Sequence, residues 1–141
     1  MKTFLAVLAG LIFAATVGLR AAVLIGPVTN TVNSHYYYLH NANTWTASEA
    51  EAETLGGHLV TINDAAENHW VYTNFITFGG VQRPLWIGLT DRRVEGVWEW
   101  ASGEPVTFLN WITGEPNNNT LHGPQNHAHF WPPAVPVGSS Q

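Results

Sequence analysis

The chain of 141 residues has no cysteine. No disulfide can staple it, and no thiolate is on hand to hold zinc or act as a nucleophile. Hydrophobic burial must carry the fold, helped at most by bound metal. Bases are also scarce, with five Lys and Arg against ten Asp and Glu and a formal charge of −5. Nucleic acid demands a basic footprint, so that class of partner is excluded. No internal repeat is visible, and Ser102 stands in Ala-Ser-Gly-Glu rather than in a Gly-x-Ser-x-Gly elbow. Aromatics, in contrast, are plentiful. Seven Trp, six Phe and four Tyr within a 45% hydrophobic composition are enough for one cored domain, and the length does not suit two.

The start of the chain has the shape of a targeting segment. Lys2 gives a positive end, Phe4 to Val17 is apolar, and Leu19-Arg20-Ala21-Ala22 is an imperfect small-residue cleavage site. An uncleaved anchor is the alternative, but the apolar run is short for a span. Residues 1–22 are therefore expected to be a signal peptide, with the protein secreted, periplasmic or on the cell surface and no membrane span after cleavage. Removal of Lys2 and Arg20 leaves three bases against ten acids, a net of −7. That balance suits a protein that attracts a cation.

Residues 23–33 mix Val and Ile with Gly26, Pro27 and Asn30, and read as a linker or frayed first strand. Tyr36 to Leu39 reads as a strand, with its three tyrosines in core and edge packing. Thr46 and Glu49 form a capping box for a helix to about Leu55, whose apolar face holds Trp45, Ala52 and Leu55. Gly56-Gly57 ends it. His58 to Ile62 reads as a short buried strand with His58 at its edge. Asp64 and Glu67 make a second capping box, followed by the stripe Val71, Phe75, Phe78 and the stop Gly79-Gly80. Leu85 to Leu89 and Val97 to Trp100 read as strands, and the tail from Pro132 to Gln141 as loop. Helices come early and strands late, an α+β order.

The runs Trp86-Ile87-Gly88-Leu89 and Trp98-Glu99-Trp100 and the triplet Glu115-Pro116-Asn117 appear in an order and spacing that resemble the C-type lectin-like domain. The likeness extends from about Tyr36 to Trp131, so residues 34–141 are assigned to that domain. The resemblance implies two helices packed on small antiparallel sheets, with a long irregular ligand-binding loop. Animal members carry two disulfides, so this chain resembles a bacterial-type, cysteine-free variant. The resemblance further implies a cis bond before Pro116 that turns Glu115 and Asn117 toward one calcium ion. The ion would bind two neighbouring sugar hydroxyls, and the same side chains would hydrogen-bond them, a mannose-type arrangement. Calcium takes roughly six to eight oxygens. On its own, the triplet reads equally well as a solvated turn, because Pro and Asn favour turns.

The rest of the site departs from the family. Gln125-Asn126-His127-Ala128-His129-Phe130 stands where the resemblance implies a pattern such as Glu-Asn-Tyr-Ala-His-Phe. Gln125 offers a carbonyl without charge, so calcium is expected to bind more weakly, and Asn126 adds another amide oxygen. A Trp-Asn-Asp triplet, which would give two more ligands, does not occur. The domain is expected to be incomplete at its C-terminus, lacking the strand that closes it. The candidate carbohydrate site is Glu115, Asn117, Gln125 and Asn126, with Glu115, Asn117 and Gln125 as metal ligands. A second ion at Asp91, Glu95 and Glu99 is set against surface ion pairing with Arg92 and Arg93, which is the reading preferred. His122, His127 and His129 hint at zinc, but no defined fourth ligand accompanies them, and packing is the preferred role. Trp111 is expected in the core, and Trp131 either at a ligand or under the loop.

The resulting expectation is an exported carbohydrate-binding module, calcium-assisted, with a glycan or glycoprotein partner. The alternative is an adhesion or protein-interaction module of the same fold that binds neither calcium nor sugar. Paired acids Glu99 and Glu104 suggest glycoside cleavage only formally, because loop acids are usually solvated; no enzyme is expected.

Overall fold

The computed structural model describes residues 23–119 and 124–132. The expected signal peptide, His122 and the tail beyond Pro132 lie outside these residues.

Strands β1 (Val23–Thr29) and β2 (Tyr36–His40) form an antiparallel hairpin. The stretch read as a linker or frayed strand is thus largely a paired strand. Its register shifts on both sides of Ile25, next to Pro27, which has no N–H to give the ladder. Tyr37 and Leu39 point inward at 8% exposure each, while Tyr36 and Tyr38 face out at 68% and 44%. This is the alternation of a strand with one buried face.

Helix α1 covers Trp45–Thr54. Its cap is Thr44, whose Oγ1 accepts from Ala47 N at 3.3 Å, not the expected Thr46. Glu49 does not close a box, because its carboxylate is taken by His58 Nδ1 at 2.6 Å and Leu59 N at 2.8 Å. The buried face is therefore Trp45, Ser48 and Glu49, and Leu55 is exposed. At the end, Gly56 takes φ +84°, and Gly57 N bonds back to Ala52 O at 3.1 Å. Residues 58–62 are an extended connection rather than the expected strand. Val60 O accepts from Gly88 N at 2.9 Å, a contact that brings Leu59 O so close that a Cβ on Gly88 would lie 2.7 Å from it.

Helix α2 (Ala65–Phe75) starts at Asp64, whose Oδ1 accepts from Glu67 N at 2.8 Å. Half of the expected box forms. The carboxylate of Glu67 turns instead to Asn63 N, Tyr37 and Asn33. A 3-10 turn at Phe78–Gly80 leads to β3 (Leu85–Thr90), which pairs antiparallel with β4 (Glu99–Trp100) and β5 (His127–Phe130) in the order β4-β3-β5. The expected strand from Val97 shrinks to its last two residues, since Val97 is exposed and its N–H closes a turn on Val94 O. Tyr37, Leu39, Ile62, Val71, Phe75, Leu89, Trp100 and Ala128 make the core. The architecture is α+β. The irregular segment between β4 and β5 emerges beside this core and carries the candidate loop.

Candidate functional site

The loop is anchored by Phe108 and Trp111, which pack against the core. Trp111 meets Trp98 edge to face at 4.7 Å. The chain then turns outward, with Glu115 N donating to Ile112 O at 3.0 Å and Gly114 at φ +94°. The Glu115–Pro116 peptide is cis. Across it, Asn117 Nδ2 donates to Glu115 Oε1 at 2.6 Å, and Asn117 N donates to Oε2 at 3.0 Å. Asn117 Oδ1 accepts from Asn119 N at 2.8 Å. Asn118, at φ +42°, accepts from Gln125 N at 3.1 Å through its Oδ1. Glu115, Asn117 and Gln125 are exposed. The structure thus brings Glu115 and Asn117 into direct contact and ties the Gln125 backbone to their loop through Asn118.

Asn126 belongs to a different cluster, at the end of β3. Asp91 is 2% exposed and Thr90 3%. Asp91 N and Thr90 Oγ1 donate to Asn126 O at 3.2 and 2.7 Å. Asp91 Oδ2 accepts from Gly96 N at 2.9 Å. The remaining side-chain oxygens, Asp91 Oδ1 and Asn126 Oδ1, are buried without a hydrogen-bond partner. Buried oxygens are rarely left so, and a carboxylate and an amide carbonyl are donors that a hard cation takes. The preferred reading of Asp91 as a surface ion-pair partner is therefore corrected. It is Glu99 that pairs with Arg93, at 3.1 Å, while Glu95 is exposed. Spacing gave no warning of this burial, because the Asn126 carbonyl arrives through the tertiary fold.

The histidines of β5 sit among indoles. His127 stacks on Trp45 at 4.3 Å and 8°, and the Arg92 guanidinium lies 5.4 Å from the same indole. His129 lies between Trp86, at 5.4 Å, and Trp131, at 5.3 Å. Burial, and then the Arg92 charge, pull the His127 imidazole below its usual pKa, with Asp91 opposing. Desolvation lowers His129 as well, against the pull of the Glu115 carboxylate. Both rings pack against aromatic neighbours, His127 on Trp45 and His129 between Trp86 and Trp131. Trp131 is 64% exposed and does not lie under the loop.

The acids and hydroxyl considered for hydrolysis are dispersed among structural partners. Glu104 accepts from Asn63 Nδ2 at 3.2 Å, and Ser102 Oγ bonds Thr61 Oγ1 at 2.8 Å. Glu49, Glu53 and His58 bring ligand atoms within 4.8 Å of one another, a grouping that spacing had not suggested. Glu49 there is already committed to His58 and Leu59. Among the described residues, no helix is long and apolar enough to cross a membrane.

Residues 41–127 match the family described as the lectin C-type domain. Hepatic lectin of Gallus gallus is 35% identical over 98 residues, covering 68% of this chain and 44% of that protein. A perlucin-like protein of Mytilus galloprovincialis is 31% identical over 97 residues, covering 68% of this chain and 60% of that protein. Among solved structures, the C-type carbohydrate-recognition domain of cow CD23, determined in the presence of a GlcNAc2Man3 oligosaccharide, superposes with a TM-score of 0.54. It is 30% identical over 63% of this chain and 64% of its own. The chain therefore spans about half of the relatives it matches.

Proposed function

The chain belongs to the C-type lectin family, and from that premise we propose that it is an exported, calcium-assisted carbohydrate-binding module of the mannose type. The observation that carries this reading is the mutual contact of Glu115 and Asn117 across Pro116 on an exposed loop. Together they offer carboxylate oxygens that accept and an amide that donates, which matches a pair of sugar hydroxyls acting as donors and acceptors. Glu115, Asn117 and Gln125 would hold the calcium, and the ion would supply direct coordination of those hydroxyls. The set is low in charge, with Glu115 its sole carboxylate, so weak binding is expected. The buried, unpartnered oxygens of Asp91 and Asn126 support a hard cation in the neighbourhood, since an ion would satisfy them. The cow CD23 domain was solved with an oligosaccharide, which supports a glycan as the partner class.

A second reading, a protein-interaction module without calcium or sugar, is favoured by one specific feature. Gln125 is exposed, with its backbone N–H rather than its side chain tied to the loop. Calorimetric titration of methyl α-mannoside in calcium and in chelator separates the two readings.

A further inference from the structure

Trp86, His129 and Trp131 form a row of rings on the sheet surface next to the candidate loop. Trp86 donates its indole N–H to Asn43 O at 3.0 Å, which fixes the ring in place. His129 meets Trp86 at 81° and Trp131 at 52°, so the three stand as a ridge instead of a closed stack. His127, two residues back on the same strand, differs: its ring is covered by Trp45 in a nearly parallel stack. The outer rings remain open, with Trp131 at 64% and Trp86 at 37% exposure. The ridge borders the loop, because His129 lines the same cleft as Trp111, four residues before Glu115.

We propose that Trp86, His129 and Trp131 are a stacking subsite for a second neutral hexose, in an oligosaccharide whose first sugar is held at Glu115 and Asn117. This rests on the sugar-binding reading of the loop. A pyranose has a rim of hydroxyls and a face of C–H groups. The loop supplies donors and acceptors for the rim. The ridge supplies an apolar wall for the face. Indole rings present large, rigid, apolar area with a polar N–H handle, and the Asn43 bond means that Trp86 loses little freedom when a ligand covers it. The Glu115 carboxylate on the neighbouring loop would repel an anionic ring, so a neutral one fits better.

The test uses the full chain in saturating calcium. Methyl α-mannoside and an α-linked mannotriose are titrated calorimetrically into the wild type, Trp131→Ala, Trp131→Phe and Glu115→Ala. The trisaccharide is expected to bind roughly 3- to 10-fold more tightly than the monosaccharide. Trp131→Ala removes that advantage and leaves monosaccharide affinity unchanged, while Trp131→Phe retains most of it. A thermal midpoint shared by the variants shows that folding is intact. If the advantage survives Trp131→Ala while Glu115→Ala abolishes all binding, the subsite is wrong and the loop reading stands. Equal weakening of both sugars by Trp131→Ala also overturns the subsite. No binding of either sugar to the wild type overturns both readings.

Discussion

Tyr37 donates its hydroxyl proton to Glu67 Oε1 across 2.6 Å and so joins β2 to α2. Glu67 is 5% exposed, and it also accepts from Asn33 Nδ2 at 3.0 Å and Asn63 N at 2.9 Å. A buried carboxylate with three donors is well satisfied, and removing one of them is costly. Tyr37→Phe is expected to destabilise by about 1–2 kcal/mol, read as a lower thermal midpoint.

The same pair predicts an alkaline limit. Burial first, and then the bond to Glu67, push the Tyr37 phenol from 10.0 to about 12. The folded state holds this proton more tightly than the unfolded chain does. Its contribution is fully present below pH 10 and is lost as pH rises from 10 through about 12. Denaturant midpoints measured across that window should fall, and Tyr37→Phe should fall less steeply than the wild type.

Gly88 tests the packing of β3 on the connection after α1. A methyl group there would meet Leu59 O at 2.7 Å. Gly88→Ala is expected to cost about 1–3 kcal/mol, as overpacking does. A melting curve unchanged by that substitution would contradict the close approach.

Much of this was legible in the residues, and the misses share a cause. The apolar run at Leu85, the Gly56-Gly57 stop of α1 and the Asp64 cap of α2 could be read locally, because turns and caps depend on near neighbours, whereas α1 is capped by Thr44 instead of Thr46 and α2 ends at Phe75, before Gly79-Gly80. The two expected capping boxes failed at their glutamates for the opposite reason. Glu49 and Glu67 were drawn away by His58 and Tyr37, partners 9 and 30 residues distant. The burial of Asp91 likewise depends on Asn126, 35 positions on. The Glu115–Asn117 contact lies within three residues and was the easiest part of the candidate site to foresee. The ring row on β5 needs the register of Trp86 against His129, which spacing alone does not supply.

Asp91→Asn separates a structural carboxylate from a cation ligand. The amide oxygen can still accept from Gly96 N, so stability in chelator should stay within about 1 kcal/mol of the wild type or rise, as one uncompensated buried charge is removed. If the orphaned Oδ1 serves a cation, the calcium-induced rise in thermal midpoint should shrink in this variant. An undiminished rise would place the ion elsewhere.

Exchange of the loop chemistry offers a specificity test. The double variant Glu115→Gln, Asn117→Asp moves the carboxylate across Pro116 while keeping both side-chain lengths. It is expected to change which hydroxyl pair is preferred, read by competition between mannosides and galactosides on immobilised protein. Identical preference in both proteins would separate Glu115 and Asn117 from recognition.

The most direct measurement is calorimetric titration of methyl α-mannoside into the wild-type chain, first in millimolar calcium and then in excess chelator. Saturable heat with calcium and none with chelator is the predicted result. Equal heats in the two conditions, or none in either, would contradict a calcium-assisted sugar site at Glu115 and Asn117.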